Sequence, residues 1–164
     1  MKKIALLFLL LLVASSACDA RKYPFDIEHP YEVKMVRVAE QGYKFIKVFG
    51  VAKSVDKAMD RAMQDAVAAC IFTGVPGQSG VGSISSLCGG FSAYEKNKEY
   101  FDKFFTTGAF LNYVRNANSN YPSGENNIKF NGKRKVGIYV VVNYDALRKK
   151  LEDDKIIVRI SDYF

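Results

Sequence analysis

Residues 54–72, SVDKAMDRAMQDAVAACIF, constrain this chain more than any other stretch. Val55, Ala58, Met59, Ala62, Met63, Ala66, Val67 and Cys70 recur at the i, i+3, i+4, i+7 positions of one helical face. A stripe built largely from alanine lets a helix lie close to its neighbour, and a sheet is the surface such a helix covers. Ser54 is placed to cap the first turn and Asp56 to meet the positive end of the helix dipole. Arg61 and Asp65 stand one turn apart and are expected to pair on the wet face. The Met residues read as gap-fillers in a core rather than as metal ligands.

Strand patterns flank this helix. Val33 and Met35 alternate with charges, then Val36 and Val38 do so on the opposite parity, which predicts a bulge or a strand buried on both faces. Glu40-Gln41-Gly42 marks a turn, and Tyr43–Val51 is rich in aromatic and β-branched residues. Ile128–Asn143 is a second hairpin around Asn131-Gly132, the dipeptide of a type I′ turn. Val136, Ile138, Val140 and Val142 line one side of its second strand and Tyr139 and Val141 the other, predicting a central strand covered on both sides. Ser92–Phe105 reads as a second helix, with Ser92 and Glu95 at capping-box spacing and Tyr94, Phe101, Phe104 and Phe105 on its apolar face. Gly108 is suited to end it. Phe110–Ala117 alternates like a strand. Tyr144–Asp153 is a short helix with Leu147 and Leu151 inward, and Ile156–Ile160 a last strand or strand-like tail. The expected architecture is α+β: a two-layer sandwich with a small antiparallel sheet and two main helices packed on one face. It forms one domain over residues 31–164.

The amino terminus supplies an address. Lys2 and Lys3 precede an unbroken apolar run, Ile4–Ala14, followed by the small residues Ser15, Ser16 and Ala17 and then Cys18. This is the form of a bacterial export signal over residues 1–17. The apolar run is shorter than the ~20 residues a membrane span needs. Cys18 is the candidate lipid-attachment residue of a lipoprotein. Ser15 stands where the usual lipobox has Leu, so simple cleavage after Ala17 or Ala20 is the alternative. Residues 18–30, with Pro24, Pro30 and mixed charges, read as a tether. The expected location is exported, on the periplasmic or surface side of the outer membrane, lipid-anchored through Cys18.

Removing Lys2 and Lys3 from a formal charge of +7 leaves +5 on the mature chain. The cations are scattered apart from Lys133-Arg134-Lys135, which could touch anionic lipid headgroups or glycans. There is no basic stripe of the kind a nucleic-acid protein carries. With Cys18 assigned, Cys70 and Cys88 remain as a possible disulfide, closing a loop for which the chain-entropy estimate is about 3 kcal/mol. The alternative is two buried free thiols. The chain has one histidine, His29, and no Cys-x-x-Cys, so no metal site and no cofactor are expected. Gly74–Gly90 is rich in Gly and Ser but holds no Lys and follows a helix, which excludes a phosphate loop; a mobile or disulfide-tied surface loop is expected. A hydrolase would need placed carboxylates. Glu95, Glu99 and Asp102 share one predicted helix, at spacings that solubility explains equally, and adjacent Asp153 and Asp154 point apart. His29, in the tether, is poorly placed as the base of a triad.

Two segments carry a family resemblance: FGVAKSVDKAMDRAMQDAV, residues 49–67, and VGIYVVVNYDALRKKL, residues 136–151. A strand ending in Gly-x-Ala leads into a helix with recurrent Ala and a central Asp-Ala; later a hydrophobic strand runs into a Val-rich segment ending in Asp-x-Leu. In these features the chain resembles the N-terminal domain of the flagellar assembly protein T and related small envelope lipoproteins, over most of residues 43–151. The resemblance implies the same α+β sandwich, no catalysis, and a role in binding and assembly at the envelope. The function expected is therefore that of a non-enzymatic envelope protein, its partner another envelope protein or a second copy, with membrane contact through lipid at Cys18 and no nucleic acid. A glycan- or small-ligand-binding module is the alternative, with Tyr94, Tyr100, Tyr113, Tyr121 and Tyr139 as its candidate aromatics; a periplasmic hydrolase is a weaker one.

Overall fold

A computed structural model describes residues 23–28, 32–38, 41–78 and 80–159. The leader, Cys18, His29 and the chain from Ile160 onward lie outside the described residues. Five antiparallel strands make the sheet: β1 (Glu32–Val38), β2 (Tyr43–Ala52), β3 (Val114–Asn116), β4 (Asn127–Phe130) and β5 (Lys133–Asn143). β2 pairs along the whole of one edge of β5. β3 and β4 therefore share the opposite edge, β3 against residues 140–142 and β4 against 133–136. Asn118 fills the gap between them: the Tyr139 N–H donates to its side-chain oxygen at 2.7 Å. The parity switch in β1 is a bulge, with the register shifting between Met35 and Arg37 so that Val36 is the extra residue. Asn131 and Gly132 both have positive φ, 47° and 72°, as a type I′ turn requires.

Helix α1 (Val55–Ala68) is capped by Ser54, whose hydroxyl accepts from the Lys57 N–H, and lies across β2 and β5. Gly50 explains the alanine stripe. A Cβ there would collide with the Ala58 carbonyl and lie 2.6 Å from the Ala62 nitrogen, so helix backbone rests directly on strand backbone. The helix continues as a π-helical turn, Ala69–Thr73, ended by Gly74 at φ 75°. The second predicted helix is two: α2 (Ser92–Lys96) and α3 (Lys98–Thr106), separated by Asn97 at φ −128°. Ser92 lies inside α2 rather than capping it, and no side chain caps that end. Tyr94, Phe101, Phe104 and Phe105 are buried as expected, and Tyr94, Phe101 and Phe105 meet Phe72 from the π turn. Residues 109–113 form a 3-10 turn, leaving only three of the expected strand residues in β3. Helix α4 (Tyr144–Asp153) buries Leu147 and Leu151. Residues 156–159 are not a strand.

Two segments read as loose are packed. In the Gly/Ser-rich loop, Val75, Ile84 and Leu87 enter the core, and Val75 and Ile84 exchange both backbone hydrogen bonds at 2.9 Å. Ahead of the sheet, Tyr23, Phe25 and Ile27 pack against the core; Phe25 stacks on Phe105 with centroids 4.0 Å apart. The described part of the segment read as a tether, residues 23–28, is thus docked on the helical layer. This overturns the expected setting of Arg61 and Asp65, whose side chains are 15% and 1% exposed rather than solvated. The guanidinium bonds Asp65 at 2.9 Å and donates to the Pro24 and Asp26 carbonyls, so the pair staples the amino-terminal segment to α1.

Candidate functional site

Alternation divides the sheet into two unlike faces. Val33, Met35, Ile46, Val48, Val114, Val136, Ile138, Val140 and Val142 share one parity in the paired registers, and all belong to the core beneath the helices. The opposite parity carries Lys34, Arg37, Phe45, Lys47, Phe49, Arg115, Lys133, Lys135 and Tyr139. Among the described residues only the short 3-10 turn Gly124–Asn126 reaches that side, at Gly137, and no α-helix packs on it, which revises the expectation that β5 is covered on both faces. Val141 is buried there by its strand neighbours, across from Phe45 and Arg115.

Instead of a second helical layer, the open face has cations lying on rings. Phe45 and Tyr139 stack with centroids 5.6 Å apart. The Arg37 guanidinium sits 4.9 Å from the Phe45 centroid, the Lys47 ammonium 5.4 Å from both Phe49 and Tyr139, and the Lys135 ammonium 5.0 Å from Phe49. Phe49 lies over Gly137, where a Cβ would stand 2.7 Å from the ring. Six cations on these strands face one acid, Glu32, which is bound to Lys135 at 2.5 Å. Such a surface attracts anions by its summed field and offers flat apolar area between the charges. The sequence held its signal in the alternation Phe45, Lys47, Phe49 against Ile46, Val48.

The other expected residues are dispersed. Cys18 is outside the described residues. Cys70 and Cys88 are separate thiols, brought near by backbone bonds: the Leu87 and Cys88 N–H groups donate to the Cys70 and Ile71 carbonyls, each at 2.9 Å. Burial pushes the Cys70 thiol to about 12 and the Cys88 thiol to about 11, which makes both poor nucleophiles. Asp102 is engaged by Lys98 at 2.5 Å and by the Tyr94 hydroxyl at 2.7 Å, and these two bonds hold its carboxyl below the usual range. Glu95 and Glu99 are exposed on different helices. Asp153 pairs with Arg159, and Asp154 with Lys150 and the Tyr100 hydroxyl. The most perturbed carboxyl is Asp65: burial raises it to about 7, with Arg61 pulling the other way. Among the described residues no three His, Cys, Asp or Glu groups could hold one metal ion. Of the five tyrosines considered for ligand binding, only Tyr121 is exposed, and it donates to Asp56. A groove of about 880 Å³ runs beside α1, with Met59, Met63 and Gln64 in its wall. Gln64 is 2% exposed, and its Nε2 has no hydrogen-bond partner among the described residues.

Compared with protein-family models, with curated proteins and with solved structures, the chain has no significant match.

Proposed function

We propose that this chain is a non-enzymatic protein of the cell envelope that works by binding, and that the open face of the sheet is its contact surface. The observation that carries this reading is the sheet face with no α-helix over it, which carries six cations, three of them lying on its rings. The reading of residues 1–17 as an export signal and of Cys18 as its lipid-attachment residue supports a place at the membrane. The partner is an envelope protein that presents acidic side chains. A second copy stacked through the same face would oppose like charges, which cost rather than stabilise. The likeness to the flagellar assembly domain is a likeness of pattern, and assembly is the activity it suggests.

Two experiments test the proposal. Replacing Cys18 by Ser should move the protein from membrane to soluble fractions; unchanged retention would remove Cys18 as anchor. The double charge reversal Arg37→Glu/Lys47→Glu should abolish salt-sensitive capture of the partner from solubilised envelopes, while Lys149→Glu on exposed helix surface keeps it. Equal capture by both variants would reject the open face.

The groove beside α1 supports a second reading, a small-ligand module. An amide as buried as Gln64 normally has a hydrogen-bond partner, and a bound polar molecule would supply one. Gln64→Leu should leave a bound metabolite undetectable by native mass spectrometry if this reading holds. An identical mass in both proteins would discard it.

A further inference from the structure

The tip of the β4–β5 hairpin has a character unlike the rest of the surface. Ile128 and Phe130 are 45% and 47% exposed, two of only five large apolar residues so exposed among the described residues. The register pairs them with Lys135 and Lys133, so these four side chains leave the same side of the ribbon, while Lys129 and Arg134 flank it from the other side. Residues 127–136 contain four cations and no acid. Lys135 is held by Glu32; Lys129, Lys133 and Arg134 form no ion pair among the described residues. The type I′ turn holds the two apolar side chains in a fixed ribbon, so exposing them to an apolar phase costs little ordering.

Two apolar side chains are too small an area for a stable protein interface, which buries roughly 800 Å² on each partner. They match a different surface. Side chains of this size enter the headgroup and acyl boundary of a bilayer, and lysines and arginines beside them are drawn to anionic lipid. We infer that the β4–β5 hairpin docks this domain on an anionic phospholipid bilayer, with Ile128 and Phe130 inserted at the interface and Lys129, Lys133 and Arg134 against the headgroups. The hairpin contributes Lys133 and Lys135 to the open face proposed above as the protein contact, so the two readings share part of that face. Arg37 and Lys47 lie outside the hairpin, and their charge reversal tests the protein partner separately from the lipid contact.

The chain contains no tryptophan, so Phe130→Trp is an unobstructed reporter. With vesicles containing roughly one third phosphatidylglycerol in phosphatidylcholine, its emission should shift to the blue and become protected from iodide; with pure phosphatidylcholine the change should be much weaker. In co-sedimentation, Ile128→Asp/Phe130→Asp should weaken binding to the anionic vesicles at least tenfold. Lys133→Glu/Arg134→Glu should remove the dependence on anionic lipid and on salt. All variants keep the same amino terminus, so membrane affinity contributed there cancels in the comparison, and circular dichroism checks that each is folded. An unshifted Phe130→Trp spectrum, or co-sedimentation unchanged by both double variants, would overturn the inference. So would a blue shift that needs an envelope protein and not lipid.

Discussion

The two faces of the sheet are made by the same strands, one residue out of phase, and they solve the problem of a large side chain in opposite ways. On the closed face, Ile46, Val48, Ile138 and Val140 are sealed beneath α1, and Gly50 lets the helix backbone come down on the strand. There stability comes from excluded water and close packing. On the open face the rings of Phe45, Phe49 and Tyr139 are roofed by the chains of Arg37, Lys47 and Lys135, with the Lys135 ammonium also paired to Glu32. A face finished this way is stable without a partner, yet its cover is made of flexible side chains that a partner can displace. That is the physical reason for placing binding on this side and folding on the other.

Neighbouring residues of β2 put the contrast to its hardest test. Ile46→Ala, on the closed face at 0% exposure, should lower unfolding free energy by roughly 2–5 kcal/mol. Phe45→Ala removes a larger side chain from the open face and should cost only about 1–2 kcal/mol, since much of its ring contact is with Tyr139 and Arg37 alone. Urea midpoints at unchanged slope give both numbers. If Phe45→Ala proved as damaging as Ile46→Ala, something covers the open face and the distinction fails.

A second contrast is pH on one side against salt on the other. Asp65, stapled under the amino-terminal segment, has its folded value raised to about 7 from an ordinary 3.8. The unfolded chain therefore releases this proton near pH 4, while the folded chain keeps it until near pH 7. Between those values the folded state binds more protons, so stability falls as pH rises, by at most about 4 kcal/mol, and then levels. Asp65→Asn should flatten that slope in a series of denaturant titrations from pH 4 to 8. A slope retained in the variant would assign the effect to another group. The open face should respond instead to ionic strength, because its cations stand in or near water.

Much of this was legible in the residues. Helix α1, the β4–β5 turn and α4 follow from periodicity, a cap and Asn131-Gly132, each a local rule that tertiary packing leaves intact. The bulge at Val36 was visible as a change of parity. The misreadings share one cause, which is that burial is not a local property. Arg61 and Asp65 occupy what looks like the wet side of an isolated helix; only the docking of residues 23–28 closes it, and Tyr23, Phe25 and Ile27, alternating with Pro24, Asp26 and Glu28, were the available sign. The break at Asn97 sits inside an otherwise continuous apolar stripe. The alternation in β2 carried the existence of a second face, but its gathering of cations could not be read before the strand order was known, because they come from four strands and are brought together only by the register.

The smallest effect is the most specific to the open face. Lys47 lies between Phe49 on its own strand and Tyr139 on β5, near enough to both ring centroids for a cation–π attraction. At a site this wet the attraction is worth about 0.5–1 kcal/mol. Lys47→Gln alone mixes that energy with changes in net charge. A double-mutant cycle with Tyr139→Leu separates them, since only the coupling between the two positions survives the subtraction. A coupling of about 0.5 kcal/mol that persists in strong salt would show the ammonium held on the ring. A coupling of zero would leave Lys47 free to reach a partner from the outset. The charge reversals would then report simple long-range attraction, and the rings would have no part in holding the surface ready.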